Sequence, residues 1–470
     1  MNLKKKFETA LRTVNKVNIT GEKDKTSVIV HHVVSSGIIR TCNDTFYLIE
    51  NNLIVPITDR ETHTVIRYLL TDSCKAEVGT YVIKEAAERI RDMSEIQIDI
   101  EEIMRRNKYK ILLENGVYDV EKENFNNSPN ENELFLYKLN FNYIPDSKLD
   151  NAPVFAEFVK TSLGEENLDC LLEWLGYCCT TLTAARKAMF FIGVEKCGKS
   201  VLIDVMENAF GSENTSSVSF AKLGMEQSRI KYQSKIANLS RETSTDALKN
   251  DDAFKSLVSG DKITGRRLYE NSKEFVTFAK FTTASNFFPN FKHMDTAILD
   301  RIIPIYFKNR VESEVPTDYS LKEKLIAEKD IFFSIAVDRT AGLIKSGYQF
   351  SMSERSREVL HNKRTELLNV SEFIKEKLEL DPEGIISSVS LYQIYKDWCS
   401  INAIVAEGRN TFYNKITDYN STVRHGKFII DGRNLNGFKG LKSKCEYKER
   451  KCIQMYQDSH SSIQRGGETK

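Results

Sequence analysis

The stretch Phe190–Gly211, FFIGVEKCGKSVLIDVMENAFG, decides how the chain is read. Within it Gly193, Gly198, Lys199 and Ser200 fall in the spacing G-x-x-x-x-G-K-S. The apolar run MFFI before the loop reads as a strand, and SVLIDVMENAF after it reads as a helix that stops at Gly211. Glycines in such a loop let the backbone wrap closely and aim N–H groups at phosphate oxygens, at a helix N-terminus where the dipole favours negative charge. Gly193, Val194, Glu195, Lys196, Cys197, Gly198, Lys199, Ser200 and Val201 are therefore the candidate phosphate cradle. Lys199 is placed to reach the β- and γ-phosphates, and the Ser200 hydroxyl to ligate Mg²⁺. A glycine-containing surface turn is the plainer alternative, and the strand-before, helix-after context weighs against it.

Around this loop lie 470 residues, too many for one ordinary core, so about three domains are expected. The composition, 41% hydrophobic and 28% charged with only 8 Pro, is that of a soluble globular protein. No apolar run approaches the roughly 20 residues that span a bilayer, and the N-terminal MNLKKKFETALRTV lacks the apolar centre of a secretory signal. Nine cysteines without a C-x-x-C pair point to a reducing cytoplasm and away from a structural zinc site. The adjacent His31 and His32 read as strand surface. A net charge of +1 means that any nucleic-acid contact must come from local basic clusters.

Coarse patterning predicts an α/β chain. Residues 27–60 alternate β-like runs (SVIVHHVV, DTFYLIENNLIVPI) with turns, and 60–106 look helical (ETHTVIRYLL, VIKEAAERIRDM, EIQIDIEEIMRR). KYKILLENGVYDVEKENF reads as two strands with a tight turn at Asn115-Gly116. A helical block at 152–180 follows, then strands AMFFIG, KIANLS, FVTFAKFTTAS and IIPIYF with helices between them, the pattern of a parallel sheet. Residues 320–380 read as helical. Beyond them, helices VSEFIKEKLEL, SLYQIYKDWCSIN and RNTFYNKITDY precede a hairpin KFIIDGRNLNGFKGL, which is a winged-helix pattern. The expected division is an N-terminal α/β domain (1–150), a helical collar (151–185), the phosphate-loop domain (186–350), a helical linker with the winged-helix-like domain (351–445), and a polar tail (446–470).

Hydrolysis needs a carboxylate on a neighbouring strand. Glu242, at the end of KIANLSRE, is the candidate, with an ordinary surface glutamate as the alternative. Asn286 ends the strand KFTTASN, where a polar side chain can sense a γ-phosphate. Arg301 in ILDRIIPIYF is placed for an arginine finger into a neighbour's site, or for a structural salt bridge. Lys262, Arg266, Arg267 and Lys273 cluster around glycine turns as a basic hairpin or a solvated face. Arg424 to Lys451 holds nine Lys/Arg against three Asp/Glu, including Arg424, Lys427, Arg433 and Lys439. That cluster reads as a duplex-DNA contact or a charged solvated face.

The order GVEKCGKS, KIANLSRETS, FKSLVSGDKITGRRLYENSKEF, AKFTTASNFFP, ILDRIIPIYF resembles the superfamily 3 helicases of the AAA+ class. The likeness is to the subgroup found in phage and plasmid primase–helicases and poxvirus-type replication ATPases, including the replication initiators of phage-related elements. It covers roughly residues 30–442 and is strongest over 186–310. The resemblance implies a homo-hexameric ring that hydrolyses ATP with Mg²⁺ between subunits and translocates 3′ to 5′ on single-stranded DNA. It makes Lys199 and Ser200 the Walker A contacts, Glu242 the Walker B acid and a Mg²⁺ ligand, Asn286 sensor 1 and Arg301 the trans-acting finger. Lys262, Arg266 and Arg267 fall in the loop that grips single-stranded DNA inside the channel. One departure stands out: the family often carries two adjacent acids where this chain has Arg241 before Glu242.

A primase domain is not expected here, since only about 100 residues precede the collar-like segment KYKILLENGVYDVEKENF and IQIDIEEI reads as a helix surface. Priming is assigned to a separate polypeptide. The expected function is thus an ATP-driven helicase in replication of a phage, plasmid or mobile element. The alternatives are an origin-binding initiator whose ATPase controls assembly, and a protein remodeller.

Overall fold

The computed structural model describes residues 11–444 apart from 13, 131, 242–250, 267–271, 293, 309–317, 403, 405 and 431. In it SVIVHHVV is helical, within α1 (Lys25–Ser35), not extended. β-Branched residues favour strands, but two features override that preference. Asp24 caps the helix by accepting from the Ser27 N–H at 3.0 Å, and Thr26, Ile29, Val30 and Val33 are buried at helical spacing. His31 and His32 therefore sit on a helix, with His32 Nε2 2.8 Å from the Asn15 carbonyl.

An antiparallel meander follows: β1 (Ile39–Cys42), β2 (Thr45–Glu50) and β3 (Leu53–Ile57). It shares one core with α1, α2 (Asp59–Tyr68) and α3 (Thr80–Arg91), including Phe46, Leu48, Val65, Ile66, Ile83 and Ile90. EIQIDIEEIMRR is not one helix. A 3₁₀ turn at Ser94–Ile96 precedes α4 (Ile100–Arg106), because Asp99 accepts from the N–H groups of Glu101 and Glu102 and starts the helix there. The next hairpin, β4 (Lys110–Leu113) and β5 (Gly116–Asp119), turns at Glu114–Asn115 and gains β6 (Asn124–Asn126).

The helical block consists of a short helix at Pro153–Phe158, a π-helical turn at Val159–Leu163 and α5 (Leu168–Cys178). Behind it lies a five-stranded parallel sheet built from β7 (Ala188–Ile192), β8 (Thr215–Ser216), β9 (Ala237–Ser240), β12 (Lys280–Ser285) and β13 (Ile302–Tyr306). Its order is β13-β7-β12-β9-β8, with every pairing parallel. All five residues of β7 are buried, as a central parallel strand covered on both faces requires. Between these strands run α6 (Lys199–Phe210), α7 (Asp251–Ser259) and an antiparallel ribbon of β10 (Lys262–Gly265) with β11 (Lys273–Val276).

Helix α8 (Leu321–Lys345) crosses α5 closely. A Cβ placed on Gly176 would stand 2.0 Å from the Ala336 carbonyl oxygen, so only glycine permits that approach. Trp174 Nε1–H donates to Thr282 Oγ1 at 2.9 Å, tying α5 to β12. One hydrophobic core runs through α5, the sheet and α8.

Residues 1–293 with 300–356 form one compact unit, and 294–299 with 357–470 a second. In the second, VSEFIKEKLEL is not wholly helical. α9 (Glu354–Lys377) ends there and β14 (Leu378–Ser387) begins, since Pro382 and Gly384 cannot sustain a helix and are absorbed in a bulge between Asp381 and Ile385. α10 (Ser388–Ile401), α11 (Arg409–Tyr419), β15 (Arg424–Ile430) and β16 (Arg433–Ser443) complete it, with sheet order β14-β16-β15. Phe412 stacks on Tyr395 at 4.2 Å in its core. Among the described residues no helix is long and apolar enough to cross a membrane.

One buried charge site makes the first unit pH-sensitive. Lys280 is 3% exposed; its Nζ donates to the Thr180 carbonyl and lies 5.2 Å from the Tyr177 ring centroid. Burial pushes its pKa down to about 7 from the usual 10.5. Between those values the folded chain binds fewer protons than the unfolded chain, so Lys280 makes stability rise with pH from about 7 to 10.5 and contributes no slope below 7, where both states are protonated. Thermal denaturation from pH 6 to 9 is expected to show a shallower pH dependence for Lys280→Met. An unchanged slope would assign the titration elsewhere.

Candidate phosphate-binding site

Parallel pairing brings the C-terminal ends of β7, β9 and β12 to one edge of the sheet. The loop Gly193–Gly198 leaves β7 at this edge and feeds directly into α6. Gly193 N–H donates to the Ser285 carbonyl at 3.1 Å, anchoring the loop to the end of β12. Gly198 precedes the helix at φ +101°. A Cβ there would meet Phe158 Cε2 at 2.9 Å, so both backbone conformation and space demand glycine. Val194 is 47% exposed, Glu195 and Lys196 are exposed, Lys196 adopts φ +60°, and Cys197 is buried beneath them. Ser200 is exposed on the first turn of α6 and Val201 lies half-buried behind it.

Lys199 opens α6 with its side chain folded into the loop. Its Nζ donates to the carbonyls of Gly193 and Val194, both at 2.6 Å, to Asn286 Oδ1 at 3.3 Å and to Cys197 Sγ at 3.5 Å. Two residues 87 positions apart are thereby brought together, Lys199 from the loop and Asn286 from the end of β12. Lys199 is 7% exposed, and its ammonium is satisfied by neutral dipoles. An anionic phosphate is a stronger acceptor than these carbonyls and competes for the same donor.

Arg241 directly follows β9. Its guanidinium bonds Asp204 Oδ1 at 2.8 Å and Glu207 Oε2, both on α6. Asp204 also pairs with Lys322 at 3.2 Å. Arg241 therefore ties the strand end that leads to residue 242 onto the helix that begins at Lys199. Glu242 itself, like Arg267, lies outside the described residues.

Arg301 is not beside this loop. It precedes β13, and its carbonyl accepts from Ala188 N–H, the first residue of β7, at 2.7 Å. At roughly 3.3 Å per strand residue, Gly193 lies about 16 Å further along. The guanidinium instead donates to Ser259 Oγ at 3.2 Å.

On the β10–β11 ribbon, Lys262 pairs with Glu274 at 3.2 Å, Arg266 with Glu226 at 3.7 Å, and Lys273 is exposed. Such exposed pairs contribute about 0–1 kcal/mol each, so phosphates can exchange for them. In the second unit Arg424 stands directly opposite Lys439 across β15–β16, with Lys427 and Arg433 exposed. Like charges in that position destabilise the ribbon, and Lys439 finds relief in Glu383 at 3.6 Å.

Three neighbours of the site carry no linear signal: Arg241 through its α6 tether, and Phe158 and Ser162 behind Gly198. Asp204 and Glu207 do fall at helical spacing from Ser200, but nothing in the sequence pairs them with Arg241.

Residues 191–301 match the model of a family of unknown function, DUF5906. No curated protein matches the sequence. Among solved structures, the apo structure of the NrS-1 C-terminal region (305–718) is similar at 12% identity and TM-score 0.48, covering 89% of this chain and 100% of that one. An A-form apo structure of the same region gives 12% identity and TM-score 0.44, covering 88% of this chain and 98% of that one. Neither value establishes a shared fold.

Two glycine substitutions separate strain from propensity. Gly198→Ala is expected to lose about 1–3 kcal/mol of stability through left-handed strain and the Phe158 clash. Gly342→Ala, at an exposed position of α8 with nothing within 4 Å of the new Cβ, is expected to gain about 0.5–1 kcal/mol. Urea denaturation of both variants checks the opposed signs.

Proposed function

We propose that the chain is an ATP-driven DNA helicase of the superfamily 3, AAA+ type, acting as a homo-hexameric ring in replication of a phage, plasmid or mobile element. The observation that carries the reading is the convergence of Lys199 and Asn286 at 3.3 Å on the edge where the loop meets α6. The donor set fits a triphosphate: a lysine ready to exchange carbonyls for phosphate, an exposed Ser200 hydroxyl, and the first N–H groups of α6. It also fits Mg²⁺, which takes few protein ligands and completes its shell from phosphates and water. Bound Mg²⁺ would neutralise charge on the β- and γ-phosphate oxygens.

In this reading Lys199 turns from its loop carbonyls to the phosphates, and Asn286 holds the γ-phosphate end. Glu242 orients the attacking water and accepts its proton. Arg301, too distant from its own loop, serves the site of a neighbouring copy. Lys262, Arg266, Arg267 and Lys273 grip single-stranded DNA in the ring channel. The second unit is read as a winged-helix domain whose Arg424, Lys427, Arg433 and Lys439 contact duplex DNA. A primase from a separate polypeptide completes the set of partners.

The test is DNA-stimulated ATP hydrolysis with unwinding of 3′- and 5′-tailed forks. Lys199→Ala is expected to lower turnover by about 100-fold or more, Asn286→Ala to slow hydrolysis with little loss of binding, and the wild type to prefer the 3′-tailed fork. Intact unwinding by Lys199→Ala would remove the motor site from this loop. Absence of any DNA stimulation would favour a protein remodeller.

A second reading, an origin-binding initiator whose ATPase controls assembly, is favoured by the opposed Arg424 and Lys439. Exchanging both for Glu is expected to abolish duplex binding while leaving ATP hydrolysis intact, measured by gel shift beside phosphate release. Retained duplex binding would end the DNA role of this ribbon.

A further inference from the structure

Ser162 lies in the π-helical turn Val159–Leu163, closed by Gly164 N–H donating to the Val159 carbonyl at 2.7 Å. Ser162 is 1% exposed, and its hydroxyl has no hydrogen-bond partner among the described residues. A buried hydroxyl without a partner is a standing cost, and π-turns of this kind concentrate at functional sites. The hydroxyl faces the phosphate loop. Of the three atoms nearest a Cβ placed on Gly198, two belong to the Phe158 ring and the third is Ser162 Oγ, at 3.5 Å. Phe158 and Ser162 are four residues apart and present one face to the loop from behind. The turn is itself fixed to the chain beyond β13: Lys308 N–H donates to the Ser162 carbonyl at 2.8 Å, and Lys308 Nζ to that of Lys160 at 3.1 Å.

The loop is in a self-satisfied state, with the carbonyls of Gly193 and Val194 occupied by Lys199. If Lys199 turns to a phosphate, those carbonyls lose their donor and the peptides between Gly193 and Gly198 must find new partners. We propose that Ser162 is a positioning residue of the phosphate loop: its hydroxyl is held unpartnered behind Gly198 and donates to the loop backbone when the loop closes on a nucleoside triphosphate. The inference rests on the nucleotide reading of the loop. It adds a residue of the helical block to the binding machinery and makes that block sense occupancy directly. Phe158 sets the spacing and Ser162 supplies the hydrogen bond.

The signature is a pair of opposite signs. In the free protein Ser162→Ala removes an unsatisfied buried group, so the apo melting temperature is expected to rise. In the complex it removes a hydrogen bond, so affinity for a non-hydrolysable ATP analogue with Mg²⁺ is expected to fall about three- to tenfold. Calorimetric titration and thermal denaturation of the full chain read both, with Thr161→Ala, whose hydroxyl donates to the Glu157 carbonyl, as the neighbouring control. Equal affinity in wild type and Ser162→Ala overturns the proposal. So does weaker binding with a lowered apo melting temperature, which would mean that the hydroxyl is already engaged without nucleotide. Failure of the wild type to bind the analogue overturns the nucleotide reading as well, a result distinct from either of these.

Discussion

Parallel pairing forces each strand of the central sheet to return by a crossover, and it collects the strand ends that carry polar residues along one edge. The proposed nucleotide site depends on that constraint. The phosphate loop, Asn286 and Arg241 reach the same edge only because β7, β12 and β9 run in one direction. The order of the sheet adds a second condition. β12 lies between β7 and β9, so Asn286 stands beside the loop, whereas Arg241 approaches from one strand further away and meets α6 through Asp204 and Glu207.

The same strand links this edge to the helical block. Near its start, Lys280 holds the Thr180 carbonyl and Thr282 accepts from Trp174. Past its end, Asn286 faces Lys199. A shift of β12 along its axis would be felt at both α5 and the loop, since the core between them is continuous and close-packed interiors transmit displacement. The π-turn approaches the loop from another direction, through Phe158 and Ser162 at Gly198. The helical block thus grips the loop edge of the sheet at two separated points, which makes it a mechanical part of the proposed site rather than a spacer before it.

Much of this edge was legible in the sequence because its signals are local. The G-x-x-x-x-G-K-S spacing, the strand before it and the stop at Gly211 each depend on a few neighbouring residues, and Gly211 does end α6. The strand and helix errors have the opposite character. SVIVHHVV looks like a strand by residue type, and only the Asp24 cap with the packing of Thr26, Ile29, Val30 and Val33 makes it α1. β14 was hidden because LELDPEGII reads as a helix end followed by a turn, and its strand character comes from pairing with β16 more than 50 residues later. The tether of Arg241 and the contacts behind Gly198 are long-range for the same reason. A side chain's partner across the fold leaves no trace in the residues beside it.

Arg301 gives the assembly argument its physical basis. The register fixes it at the opposite end of β7 from Gly193, so no rotamer change lets it stabilise charge at its own loop. If it acts on a triphosphate at all, the triphosphate belongs to another copy, and a head-to-tail interface that repeats this relation must close on itself or grow into a filament. Closure would also reconcile a net charge of +1 with the proposed DNA binding. Copies of the β10–β11 ribbon, whose Lys262 and Arg266 are held only by weak exposed pairs, would concentrate positive charge around one axis while the remaining surface stays balanced. A monomer would have to bind the phosphodiester backbone with a few cations, of which Lys262 and Arg266 already have acidic neighbours. In the proposed ring the same few cations would be presented many times to one strand, and the weak pairs that look like a defect in isolation would allow the strand to be released and regripped.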